Sequence, residues 1–194
     1  MTIKTFNINT DKTAFVRAYL PDSIAGLPFC EKRPAVLIFP GGGYEYCSDR
    51  EGEPIALQYL ALGYAAFVVT YSCNERFPEP LMDAAYIFYK IRMRAEEFKI
   101  DPQKMAVLGC SAGGHLAGCL ATMWSDIALT KTIGCEPEDL RPNAAILCYP
   151  VISGVTAPHE GSFKVLLGED ASRSDLSRLS LENRVTPKTP PVFI

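Results

Sequence analysis

The chain has 194 residues, 48% of them hydrophobic and 21% charged, which suits one compact unit near the ~150-residue domain size and is too apolar for a disordered segment. Nineteen Lys and Arg against 22 Asp and Glu leave a net charge of −3. That balance excludes the basic footprint of a protein that binds nucleic acid or an anionic membrane.

In chain order, Thr13 to Leu20 reads as an early strand leading to a turn at Pro21-Asp22-Ser23. Ala35 to Phe39 is a wholly apolar run, suited to a strand buried on both faces, and it ends in Pro40-Gly41-Gly42-Gly43-Tyr44. A helix follows, with Pro54 in its first turn, Gly63 just past its end, and Ile55, Tyr59 and Leu62 on one face. Tyr64 to Tyr71 is the next buried strand. Leu81, Ala84, Ala85, Phe88, Ile91, Ala95 and Phe98 recur at helical spacing and predict one long amphipathic helix. Asp101-Pro102 breaks the chain before a short strand at Met105 to Leu108; residues 112–124 form a buried helix, and Ala144 to Tyr149 a further strand. Strands alternating with helices predict an α/β fold, a mostly parallel sheet with helices on both faces.

Residues 151–189, rich in Gly, Pro and Ser, interrupt the rhythm and read as a partly helical excursion above the sheet within a single domain over 1–194. Val192-Phe193-Ile194 restarts a strand. A buried strand stopping there would lack backbone partners and a covering helix, so the expectation is a domain incomplete at its C-terminus. No apolar run reaches the ~18 residues of a spanning helix. Lys4, Asp11, Lys12 and Arg17 interrupt any apolar signal segment in the first twenty residues. Cys30, Cys47, Cys73, Cys110, Cys119, Cys135 and Cys148 are odd in number and contain no C-x-x-C. Reduced thiols packed as small hydrophobes in a cytoplasmic protein are expected, with no metal and no cofactor.

Gly109-Cys110-Ser111-Ala112-Gly113 matches G-x-S-x-G directly after a predicted strand and directly before a predicted helix. In that turn a serine adopts a strained backbone, its neighbours at −2 and +2 must be glycine, and the helix N-terminus points at its Oγ. Gly41-Gly42-Gly43 ends the earlier strand and can present amides inward; with the amide of Ala112, those of Gly42 and Gly43 would hold an oxyanion. A phosphate cradle is excluded because neither G-x-x-x-x-G-K-[ST] nor G-x-G-x-x-G occurs. Tyr44 and Tyr46 either wall the acyl pocket or pack in the core. Asp49-Arg50-Glu51 is either a cap and local ion-pair cluster or a solvated loop. Cys110 is expected to face the core, and Asp83 to be either a helix-surface residue or one that hydrogen-bonds between its helix and a loop.

On these residues the chain resembles the α/β-hydrolase superfamily, and more narrowly the bacterial esterase/lipase group that includes acetyl-xylan esterase-like enzymes. The resemblance covers roughly residues 33–194. It rests on Arg33 to Tyr44, Ser48 to Glu51 with Pro54, Gly109 to His115, and Arg141 to Pro150. It implies hydrolysis of a small-molecule ester through an acyl-serine, with Ser111 as nucleophile, Gly42, Gly43 and Ala112 as oxyanion hole, and no cofactor. Pro40 departs from the H-G-G-G pattern, which changes what braces the loop. In this architecture an acid and a histidine follow the serine in chain order. His115, one turn along the helix from Ser111, is expected to pack or hydrogen-bond; His159 either contacts substrate or is an exposed polar residue. The triad acid and histidine are therefore expected beyond residue 194, and residues 1–194 alone to be nearly inactive. A peptidase or thioesterase would use the same elements, and a binding domain could retain the scaffold without hydrolysis. Homo-oligomers could form through open strand edges.

Overall fold

The computed structural model describes residues 1–7, 14–23 and 32–194; Thr13 and Cys30 lie outside them. The first half runs β1 (Thr2–Asn7), β2 (Phe15–Leu20), β3 (Arg33–Phe39), α1 (Glu53–Ala61), β4 (Ala65–Thr70), α2 (Glu79–Met93) and α3 (Ala95–Phe98). It continues through β5 (Ile100–Cys110), α4 (Ala112–Met123), α5 (Ile127–Ile133), α6 (Pro137–Leu140), β6 (Ala144–Cys148), α7 (Glu160–Leu167), α8 (Arg173–Leu179) and β7 (Val192–Phe193). Among the described residues the strands form one sheet in the order β1-β2-β4-β3-β5-β6-β7. From β4 to β7 every neighbour is parallel.

The continuous apolar runs of β3 and β4 arise because both faces are covered. Ala35, Leu37 and Phe39 join a large core with α2 and α4, while Val36 and Ile38 point to a smaller one with Ala56 of α1 and Tyr19 of β2. Ile55 and Tyr59 pack against that smaller core, but Leu62, expected on the same face, is exposed at the helix end.

The parallel pattern fails at one edge: β1 pairs antiparallel with β2, and β2 antiparallel with β4. β1 has no apolar alternation to announce it, because only Phe6 is even half-buried. The long helix predicted over 81–98 divides at Arg94, where the backbone leaves helical values (φ −102°, ψ 25°). The break turns Phe98 onto the rings of Phe6 and Phe67, 5.7 and 5.2 Å away. Asp101-Pro102 does not end the strand. β5 runs through it, and pairing with β3 steps from Arg33↔Ile100 to Ala35↔Met105, so the proline sits in a bulge where its missing N–H is tolerated. The buried Arg92 holds this bulge to the start of β6 by donating to the carbonyls of Pro102, Glu138, Asp139 and Arg141.

Residues 151–189 carry α7 and α8 and pack onto α4: Phe163 meets the His115 ring at 5.4 Å, and Leu181 lies over Gly118. Arg76 donates to the carbonyls of Lys164 and Val165, and Phe77 N to Leu166 O (2.9 Å), which ties α7 to the segment after β4. No helix among the described residues is long and apolar enough to cross a membrane.

Candidate active site

Ser111 is the single residue between the end of β5 and the start of α4, with φ 52° and ψ −117°. Such a conformation costs a non-glycine residue on the order of 1–3 kcal/mol and persists only where its surroundings over-determine it. Here Ser111 N donates to Cys148 O (3.0 Å), and Ser111 O accepts from His115 N (3.0 Å) and Val151 N (3.1 Å). The turn is tight enough to exclude side chains on both sides. A Cβ at Gly109 would lie 2.0 Å from Gly113 O, and one at Gly113 would lie 2.0 Å from Phe39 O. Ala112 opens α4, and the first amides of a helix have no intrahelical acceptor.

The glycine loop leaves β3 beside this turn: a Cβ at Gly41 would stand 3.0 Å from Ser111 Cβ. Gly42 (φ 132°) and Gly43 (φ 66°) have left-handed backbones. Backbone bonds within the loop run from Glu45 N and Tyr46 N to Gly42 O and from Ser48 N to Gly41 O, which leaves the amides of Gly42 and Gly43 without a backbone acceptor among the described residues.

Two side chains bond directly to the loop at Pro40 and Gly41, and a third supports one of them. Tyr71 OH donates to Pro40 O (2.7 Å). Glu51, in a one-turn 3-10 helix over Asp49–Glu51, accepts from Gly41 N with Oε2 (2.6 Å) and from Tyr149 OH with Oε1 (2.9 Å). Hydrogen bonding with Cys110, burial and the Glu51 carboxylate hold the Tyr149 phenol above its ordinary range. Glu51, half-buried at the edge of the cleft, thus bonds to the glycine loop itself, a contact that neither the cap nor the solvated-loop expectation includes.

Gly42, Gly43, Ser111, Tyr46, Tyr149 and His159 line one cleft of about 640 Å³. Tyr44, one of the two tyrosines considered for the pocket wall, is absent from it. At 1% exposure it packs in the core with Tyr71 and His115 and donates its hydroxyl to His115 Nδ1 (2.7 Å). Tyr46, two positions on, borders the cleft instead. His159 caps α7 and places Nδ1 2.9 Å from Ser162 Oγ. His115 is fully buried between Tyr44 and Leu179 O (2.8 Å), and burial lowers it to about 4. Cys110 is buried in the smaller core. Asp83 accepts from Ser72 N (2.9 Å), fixing the segment after β4. The described residues contain no group of three or more His, Cys, Asp or Glu arranged to hold a metal ion.

The chain is similar to endo-1,4-β-xylanase B of Butyrivibrio fibrisolvens, 36% identical over 170 residues that make up 84% of this chain and 26% of that protein. It is also similar to the acetylxylan esterase of Xylanibacter ruminicola, 31% identical over 200 residues, covering 98% of this chain and 37% of that protein. It therefore spans well under half the length of these two curated relatives. Among solved structures, the acetyl ester-xyloside bifunctional hydrolase of Caldicellulosiruptor lactoaceticus superposes with a TM-score of 0.81 at 35% identity, covering 97% of this chain and 67% of that one. The BD-FAE family model matches residues 27–194, more than half of the sequence. The chain belongs to the BD-FAE family, within the α/β-hydrolase esterase group.

Proposed function

We propose that this chain carries the nucleophile and oxyanion hole of a serine carboxylic-ester hydrolase that removes small acyl groups, acetyl foremost, from esterified carbohydrates. The observation that carries the reading is Ser111, held at positive φ between β5 and α4 and facing the same cleft as Gly42 and Gly43. The acetyl and carbohydrate preference is supported by the names of the relatives alone.

In this reading Ser111 Oγ attacks the ester carbonyl carbon as its proton passes to a general base. The carbonyl oxygen becomes an oxyanion, and the amides of Gly42, Gly43 and Ala112 donate to it; one such donor is worth about 3 kcal/mol in the transition state. The alcohol leaves with a proton returned by the base, and water then cleaves the acyl-Ser111 bond by the reverse sequence. His115 is not that base, because both ring nitrogens are committed to Tyr44 and Leu179. His159, on the cleft wall, is assigned to the substrate. The general base and its acid partner lie outside the described residues, so residues 1–194 by themselves turn over ester slowly.

The test uses the full-length protein. A fluorophosphonate probe is expected to label Ser111, and Ser111→Ala to abolish labelling and lower p-nitrophenyl acetate turnover by at least about 10³-fold. Unchanged turnover in Ser111→Ala overturns the reading. Absence of both labelling and turnover in the native protein marks a binding domain on the same scaffold.

A further inference from the structure

Cys47 ends the glycine loop and Cys73 lies just past β4, and their Sγ atoms are 3.8 Å apart. Both are half-buried free thiols. The segments that carry them are already joined: Asn74 N donates to Tyr44 O (2.8 Å), and Asn74 Nδ2 to Glu45 O (2.9 Å). Cys47 also borders a second cavity of about 630 Å³, next to Pro40, Gly52 and Val68.

We propose that Cys47 and Cys73 are a reactive dithiol that a hydroperoxide converts into a disulfide joining the glycine loop to the segment after β4. In the first step the Cys73 thiolate attacks a peroxide oxygen; the S–O bond forms, the O–O bond breaks, and the departing hydroxide takes up a proton as water. Cys47 Sγ then attacks the sulfenic sulfur; the S–S bond forms, the S–O bond breaks, and a second water leaves with the Cys47 proton. One hydrogen peroxide is reduced, two thiols are oxidised, and two waters are released. The sulfurs need only close from 3.8 Å to about 2.05 Å.

The division of labour follows from the thiol–thiol hydrogen bond, which holds Cys73 below the ordinary thiol range and Cys47 above it. Burial instead pushes two other thiols up, Cys119 to about 12 and Cys110 to about 11.

The experiment treats reduced, native full-length protein with one equivalent of hydrogen peroxide, then maps its peptides without reduction. A linked Cys47–Cys73 peptide is expected, reversible by dithiothreitol. Closing this loop is also expected to raise Tm by about 5–10 °C, a rise lost in Cys47→Ser and Cys73→Ser. The proposal is overturned if the two thiols pass unlinked to sulfinic acids, if either is linked to another cysteine instead, or if the serine variants show the same rise. None of these readouts depends on ester turnover, so the result stands apart from the proposed function.

Discussion

A carboxylate at the rim of the cleft can set the course of the glycine loop from outside it. Glu51 accepts from Gly41 N at 2.6 Å and from Tyr149 OH at 2.9 Å, so one side chain sets the exit of β3 against the exit of β6. Charge-assisted bonds of this kind contribute about 1.5–3 kcal/mol each. If that energy orients the loop, its loss falls on the transition state and not on ground-state binding. Glu51→Ala is expected to lower kcat for p-nitrophenyl acetate about 10²-fold with KM within about 2-fold, Glu51→Gln about 10-fold, and Tyr149→Phe less than either. A rise in KM at constant kcat would instead place Glu51 on the substrate. Ser111 and the glycines were readable from sequence because a tight turn and exposed amides each demand particular residue types at fixed spacing. Glu51 was not, since its partner Tyr149 lies 98 positions away and only the fold brings them together. Tyr44 and Tyr46 were indistinguishable because a loop with positive φ at Gly42, Gly43 and Tyr44 has no period from which to read the side that faces inward.

At the scale of elements, the turn between β5 and α4 works by excluding atoms. A methyl group at Gly109 or Gly113 would stand 2.0 Å from a backbone oxygen, of Gly113 or of Phe39, and neither oxygen can move without displacing α4 or β3. Gly109→Ala and Gly113→Ala are therefore expected to cost more than about 3 kcal/mol in urea denaturation or to prevent folding. Gly43→Ala is the control: nothing lies within 4 Å of its added Cβ, so only the positive φ is penalised, by about 1–2 kcal/mol. Equal losses at all three positions would mean that backbone conformation, not close approach, selects glycine here. The sequence revealed those elements whose pattern follows from their own burial: the apolar runs of β3, β4 and β6 and the small-residue α4. It hid β1, which is polar and pairs only at an edge, and it hid the break at Arg94, because Ala95 and Phe98 keep helical spacing across it. The short α5 did leave a trace: Asp126 caps it by accepting from Ala128 N (2.8 Å), and Gly134 closes it with φ 77°, a Ser/Asp-to-Gly bracket that periodicity over seven residues is too short to support.

Across the whole molecule, one buried imidazole joins three regions. His115 of α4 receives the hydroxyl of Tyr44 from the glycine loop on Nδ1 and faces Leu179 O from the 151–189 segment on Nε2. A carbonyl can only accept, so Nε2 carries the proton and Nδ1 accepts; the neutral ring satisfies both partners. A second proton would have to sit on Nδ1, against the Tyr44 donor. Burial accordingly lowers His115 from 6.5 to about 4. The sign follows from proton binding. Between pH 6.5 and 4 the unfolded chain holds a proton on this histidine that the folded one does not, so stability falls as pH falls through that window and the contribution is present in full above it. A depression of this size corresponds to about 3 kcal/mol. Glutamine can donate to Leu179 O and accept from Tyr44 without titrating. The unfolding free energy of the native protein is thus expected to drop about 3 kcal/mol more than that of His115→Gln between pH 6.5 and pH 4. Other acidic groups are common to both proteins and cancel. Parallel curves would show that the ring is protonated inside the folded protein, and with it that the glycine loop, α4 and the 151–189 segment are not held together by a neutral histidine.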